Sequence, residues 1–168
     1  MTAVPDQSGN ELAQAILSPA LLALFLKLQP SEINHSLEIT RRLIASKETD
    51  PDLLAAALLH DVGKSRSPLN LWERVIVVLA KRLIPGACQR WGTTGDLQGW
   101  KRIFVVADQH AAWGAEMAAL AGASKLTARI ISRHQEPRRR VMKEDLKRGV
   151  RTREDYLLYQ LQLLDEES

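Results

Sequence analysis

One largely apolar run of helix length constrains most strongly how this chain can fold. Asp50 and Pro51 form a helix start, with a capping side chain before a proline at the first helical position. Gly63 is placed to terminate the helix. Between these signals, residues 51–62 are nearly all apolar. A helix that is apolar on every side must be buried, so we predict a central helix that other helices surround.

The rest of the sequence has helical periodicity almost throughout, and 168 residues suit one domain. We therefore predict an all-α fold, with an N-terminal helical extension over residues 1–30 and a single globular unit over residues 31–168. Pro30 is expected to end one helix and Ser31 to cap the next, while residues 86–100 are expected to form a loop with a short helical piece. The predicted helices cover residues 11–28 (bent near Pro19), 31–47, 51–62, 71–84, 100–108, 110–120, 125–134 and 153–166.

Composition excludes several classes of protein. With 45% hydrophobic and 26% charged residues, the chain is neither disordered nor a collagen. Cys88 is the only cysteine, so no intramolecular disulfide can form, which fits a reducing compartment. Asp6 and Glu11, without any Lys or Arg, precede the first apolar stretch, and a secretory signal needs a positive segment there. We expect a cytoplasmic protein with no membrane partner.

Residues 71–84 are apolar at their centre and carry Glu73, Arg74, Lys81 and Arg82 near the two ends. We interpret this segment as a partly buried amphipathic helix. Binding to a membrane surface is the alternative interpretation.

Four histidines fall on or at the ends of predicted helices, in mostly apolar surroundings: His35, His60, His110 and His134. A single histidine there is usually a core residue whose hydrogen bonds are satisfied. Several buried imidazoles, each with two nitrogens to satisfy, favour a shared metal ion. His60 is followed by Asp61, and neighbours on a helix point about 100° apart. The pair can border one metal from two sides, or the carboxylate can bridge two metals, with other ligands from the remaining histidines and a late acid.

The run HDVGK at residues 60–64, with His35 upstream and His110, His134 and Asp165 downstream, resembles the HD-domain metal-dependent phosphohydrolase superfamily over residues 31–168. The resemblance implies an all-helical bundle with a metal site in its middle. It also implies that His110 opens a helix in which Gly114 and Ala115 allow another backbone to approach. The arrangement of these residues resembles that of the bimetal hydrolases of this superfamily, such as the symmetrical diadenosine tetraphosphate hydrolases. It also resembles that of the cyclic-dinucleotide phosphodiesterases, but the sequence lacks their Gly-Tyr-Pro signature.

The resemblance also implies a set of metal ligands. Asp61 would serve the first metal and bridge to the second. The first metal would be held by His35, His60, Asp61 and Asp165, and the second by Asp61, His110 and His134. Asp165 has an alternative interpretation as part of a solvated acidic C-terminus. Nitrogen and carboxylate ligands suit one or two ions of iron, manganese, zinc, cobalt or nickel, and we favour iron or manganese.

The expected activity is hydrolysis of a phosphate ester or anhydride of a nucleotide or related small molecule by metal-activated water. Asp61 would orient the metals and the nucleophile. Lys64 would place its ammonium on a phosphate oxygen, or alternatively complement the dipole at the end of the helix. If only one metal binds, His110 or His134 can act as the general acid.

Residues 133–153 carry nine basic and three acidic side chains, a net charge of +6. We expect Arg138, Arg139 and Arg140 to attract a polyanionic substrate, and a solvated loop is the alternative. A nucleic-acid partner is not expected, because the segment lacks interleaved aromatic residues for stacking.

Two other functions remain open for such a fold. One is a non-catalytic HD-fold module that binds a nucleotide or partner and regulates it; bound metal without turnover would distinguish it. The other is a di-iron oxygenase, which would consume dioxygen. The sequence gives no signal of oligomeric state.

Overall fold

The computed structural model describes residues 7–93, 96–137 and 152–166. No strand occurs among these residues, and the predicted all-α fold class is confirmed. A 3-10 helix, Val62–Arg66, lies between α4 and α5. The α-helices are α1 Gln7–Ile16, α2 Pro19–Phe25, α3 Pro30–Ala45, α4 Pro51–Leu59, α5 Leu71–Leu83, α6 Pro85–Gly92, α7 Arg102–Leu120, α8 Lys125–Arg133 and α9 Arg153–Glu166.

Helix α4 forms the centre of the molecule, as its apolar sequence predicts. Every residue from Leu53 to Leu59 is buried. Asp50 caps the helix by accepting hydrogen bonds from the amides of Asp52 and Leu53. Helices α1, α2, α3, α8 and α9 pack around α4. Because α1 and α2 contribute Ala13 and Phe25 to the same core, they are packed on the bundle.

Helix α7 joins this core to a second, smaller one. Its C-terminal half packs on α8, and its first turns meet α5 and α6. There Ile103 and Phe104 form a small cluster with Val77 and Cys88. None of the helices within the described ranges is long and apolar enough to cross a bilayer.

Several predicted boundaries are wrong, and proline explains two of them. Pro30 begins α3, where Gln29 rather than Ser31 is the capping residue. Pro85 likewise begins α6, which occupies much of the expected loop. Proline suits the first helical turn as well as the position after a helix, so its presence alone does not say which helix it borders.

Two further predictions fail where the chain turns toward α7. Helix α4 ends at Leu59, and Gly63 lies within the 3-10 helix rather than terminating α4. A Cβ atom on Gly63 would lie 1.9 Å from the carbonyl oxygen of His110, so this glycine permits close backbone contact. Gly114 faces it as expected, because its own Cβ would lie 3.1 Å from the Gly63 nitrogen. His110 does not open a helix: the segments predicted at 100–108 and 110–120 form one continuous helix, α7.

Candidate metal centre

Six side chains from five helical elements meet at one place between α4, α7 and α9. The rings of His60 and His134 have centroids 5.2 Å apart, and those of His110 and His134 are 5.3 Å apart. Their ligand atoms form two groups of three, and within each group all atoms lie within 4.8 Å of one another. The groups are His35, His60 and Asp165, and Asp61, His110 and His134.

The first group joins α3, the residue after α4, and the end of α9. Asp165 Oδ1 lies 2.9 Å from His35 Nε2 and 3.4 Å from His60 Nε2. Asp165 therefore points into the cluster, and its side chain is only 28% exposed. This position argues against the interpretation of Asp165 as a solvated terminal acid.

In the second group, Asp61 faces two rings and also approaches the first group. Its Oδ1 lies 3.4 Å from His110 Nε2 and 4.0 Å from His134 Nε2. Its Oδ2 lies 3.6 Å from His60 Nε2. One carboxylate thus presents an oxygen to each group, which is the placement that a bridging ligand requires.

Backbone carbonyls fix the orientation of three imidazoles. The Nδ1 atoms of His60, His110 and His134 lie 2.9, 2.9 and 2.7 Å from the carbonyl oxygens of Ala57, Val106 and Ile131. A carbonyl only accepts hydrogen bonds, so each Nδ1 must carry the proton and donate it. In the neutral form of each ring, Nε2 is then left with a lone pair directed to the cluster, as in histidines that bind metals.

The electrostatics of the cluster favour a cation. Burial alone would raise the pKa of Asp61, but the charges of His60, Lys64 and His110 hold it well below its ordinary value. Burial, followed by the charges of His60 and His110, lowers the pKa of His134 to about 3. Near neutral pH, Asp61 is therefore ionised and His134 keeps its lone pair.

The pKa values of Asp165 and His60 are likewise set by burial and by the charges around them. Burial alone would raise the pKa of Asp165, yet the hydrogen bond from His35 and the charge of His60 lower it. Burial alone would lower the pKa of His60, but the charges of Asp61 and Asp165 outweigh burial and raise it.

The donor set fits a transition-metal ion. The Nε2 atom of His60 is fully buried and makes no hydrogen bond to any described residue, although two carboxylates lie within 3.6 Å. A buried polar atom without a partner is costly, and a metal ion would satisfy it. Four imidazole nitrogens and two carboxylates suit iron, manganese, zinc, cobalt or nickel.

Lys64 lies beside the cluster in the 3-10 helix. Its Nζ is 2.5 Å from Asp61 Oδ2, and its side chain is about one-third exposed. Because α4 ends at Leu59, Lys64 is not one α-helical turn beyond His60. Instead it lines the cavity over the cluster, where its ammonium can reach an anion as well as Asp61.

This cavity has a volume of about 270 Å³ and includes residues that sequence reasoning missed. Glu32, Arg74 and Gln135 line it beside the ligands. Glu32 is buried and pairs with Arg74 at 2.8 Å. Glu32 lies one helical turn before His35, and this spacing is only a weak indication in the sequence that Glu32 lines the same cavity. Nothing local indicates that Arg74, on α5, reaches the same cavity.

The ends of the basic segment have structural roles. Arg133 forms ion pairs with Glu136, Glu154 and the fully buried Asp155. Arg153 binds Asp50 and Asp52 at the start of α4. The predicted substrate-binding residues Arg138 and Arg139, together with Arg140, lie outside the described residues.

Comparison with known families gives one match. The family model described as the HD domain matches residues 32–161, most of the chain. The matched range holds five of the six cluster residues and ends just before Asp165. The comparisons with curated proteins and with solved structures gave no match.

Proposed function

The chain belongs to the HD domain family, and from this premise we propose that it is a metal-dependent phosphohydrolase acting on a nucleotide or related phosphorylated small molecule. The observation that carries the proposal is the pair of three-residue groups joined through the two oxygens of Asp61. Each group would hold one of two divalent ions, and Asp61 would be shared between them. Residues of both groups line one cavity, so a phosphate could contact both.

Bound divalent ions would neutralise phosphoryl oxygens and supply a water-derived nucleophile at neutral pH. The chain itself contributes orientation and charge. The three Nδ1 hydrogen bonds prevent the imidazoles from turning away. Lys64 would bind a non-bridging phosphate oxygen as negative charge develops. His110 and His134 remain candidates for protonating the leaving group if a single ion binds.

The proposed substrate class rests on size and charge. A cavity of about 270 Å³, with Lys64 and Arg74 in its wall, accommodates a phosphoryl group and part of a nucleoside. Arg138 and Arg139 would extend this positive charge toward a polyphosphate. We propose iron or manganese as the metal.

Metal content and turnover, measured together, test the proposal. The full chain, purified without chelator or metal-affinity tag, should contain one to two transition metal ions. It should hydrolyse members of a panel of nucleotides, dinucleoside polyphosphates and simple phosphate esters. Asp61→Asn keeps the side-chain size but removes the shared charge. It should lose metal and reduce turnover by about a hundredfold or more.

Asp96→Asn provides the matched control, because Asp96 is an exposed carboxylate outside the cluster. It should leave metal content and turnover unchanged. Bound metal without turnover across the panel would instead favour the regulatory module, and oxygen consumption by the reduced iron form would favour an oxygenase. If no metal binds even after reconstitution, the proposal is wrong.

A further inference from the structure

Helix α5 packs against the protein with its polar side and exposes its apolar side. Six large apolar residues are 50–76% exposed, far above what core-facing positions show. At 100° per residue they fall within an arc of roughly 160°. We call this surface the α5 face. It consists of Leu71, Trp72, Ile76, Val78, Leu79 and Leu83.

The opposite side of α5 makes polar contacts with the protein. Glu73 pairs with Arg102, and Arg74 pairs with Glu32. Lys81 donates to the carbonyl oxygen of Ala107 at 3.3 Å. Val77 is the only buried residue of the helix. An amphipathic helix normally turns its apolar side to the core, so the orientation of α5 indicates that something apolar covers the α5 face.

The exposed area is also large. Six such side chains, about two-thirds exposed on average, present on the order of several hundred Å² of apolar surface. The largest patch on a typical monomeric protein covers about 300–600 Å² and often binds something. Neighbouring Trp100 is also exposed, and it packs edge-on against Trp91.

The charge around this surface identifies the kind of partner. Glu73, Arg74, Lys81 and Arg102 make the contacts of the opposite side. The other charged residues from 71 to 102 carry a net charge of +2, from Arg82, Arg90, Lys101 and Asp96. Arg82 and Arg90 are exposed there. A second copy of this chain would bring two like-charged surfaces together across a two-fold axis. A surface of anionic lipid complements both the apolar side chains and the positive charge.

We propose that the α5 face binds the surface of an anionic membrane, with α5 lying in the plane of the interface. Its polar side would keep its contacts with the bundle, and Arg82, which lies within the arc, would extend past the apolar side chains to lipid phosphates. Val77, Val78 and Lys81 also line a cavity of about 240 Å³ together with Lys64 and His110. The candidate metal centre would therefore lie close to the membrane. Such binding would differ from the expectation, drawn from the sequence, that the chain has no membrane partner.

Vesicle flotation of the full chain tests the proposal. Vesicles of phosphatidylcholine alone are compared with vesicles of equal parts phosphatidylcholine and phosphatidylglycerol. The chain should bind the mixed vesicles and bind phosphatidylcholine much more weakly. A Leu79→Asp, Leu83→Asp double variant should weaken binding about tenfold or more. A second variant, Leu71→Ser with Trp72→Ser, should act in the same direction. All four positions are exposed, so thermal melting should remain unchanged.

Leu120→Asp is the control, because Leu120 is 83% exposed at the far end of α7. It should bind vesicles like the unmodified chain. Analytical ultracentrifugation without lipid completes the experiment. The proposal is overturned if the chain does not bind the mixed vesicles, if it binds both kinds equally, or if the double variant binds as well as the unmodified chain. It is also overturned if the chain self-associates through the α5 face, since a second copy would then cover it.

Discussion

At the scale of single residues, substitution of Lys64 tests whether this side chain has a catalytic role or only a structural one. Its ammonium pairs with Asp61 and lines the cavity over the cluster. We expect Lys64→Gln to lower kcat about tenfold to a hundredfold, because a charge that stabilises the transition state is lost, while metal content stays near that of the unmodified chain. Steady-state kinetics with metal analysis measures both.

Arg66→Gln is the matched control for this experiment. Arg66 lies in the same 3-10 helix, but its guanidinium stacks on Trp113 at 5.0 Å. It should leave kcat unchanged. A Lys64→Gln variant that unfolds more easily but keeps its kcat would assign Lys64 a structural role only.

Gly63 is the residue whose substitution should damage the fold most directly. A methyl group there would lie 1.9 Å from the carbonyl oxygen of His110 and 2.7 Å from the Gly114 nitrogen, both backbone atoms. Either the 3-10 helix or α7 would have to move. We expect Gly63→Ala to lower the free energy of unfolding by about 3 kcal/mol, measured by urea denaturation. At Gly86 an added methyl group has no atom within 4 Å, so Gly86→Ala should not lower the free energy of unfolding.

The sequence predicted which residues form the cluster better than it predicted their surroundings. Four histidines and an adjacent aspartate in apolar helices are costly to bury separately, so their meeting could be expected. Asp165 depended on the resemblance. The contacts of Arg74 and Gln162 could not be predicted, because the partners of both residues are distant in sequence. Gln162 donates to the carbonyl oxygens of His134 and Glu136, at 3.0 and 2.7 Å, and so holds the end of α8.

At the scale of helices, one ion-pair network connects α8 to α9. Arg133 is 17% exposed, and it binds Glu154 at 2.6 Å and Asp155 at 3.0 Å. Removing one partner leaves a buried charge uncompensated. We expect Arg133→Ala to lower the free energy of unfolding by about 3 kcal/mol, measured by urea denaturation.

The same helix supplies a control for that substitution. Arg129 also pairs with Glu154, at 2.9 Å, but it is 67% exposed. Exposed pairs contribute less than about 1 kcal/mol, so Arg129→Ala should have a small effect. Equal losses in the two variants would contradict the assignment of the stabilisation to the buried part of the network.

Helix starts were predicted well where a local hydrogen bond defines them. Asn70 accepts from the amide of Glu73, and Ser124 accepts from the amide of Thr127, as such capping residues do. Apart from the two boundaries at prolines, the failures lie where tertiary contact decides. In the 3-10 helix after α4, Gly63 packs closely on α7, and neither partner is near the other in sequence.

At the scale of the molecule, the described residues form two hydrophobic clusters of unequal size. The larger one includes residues of α1–α4, α7, α8 and α9. The smaller one holds Val77, Cys88, Ile103 and Phe104. Few buried apolar contacts permit local opening at low free energy. Helices α5 and α6 should therefore exchange amide hydrogens faster than α4 and α8.

Metal binding should widen this difference. The six candidate ligands lie on or beside α3, α4, α7, α8 and α9, and none lies on α5 or α6. A ligand that binds only the folded state stabilises the elements that hold it. Hydrogen exchange with mass spectrometry, with and without manganese or iron, should show slower exchange in α4 and α8 and little change in α5 and α6. Asp61→Asn should abolish the slowing. Equal slowing in every helix would contradict the division into two clusters, and slowing that persists in Asp61→Asn would place the metal elsewhere.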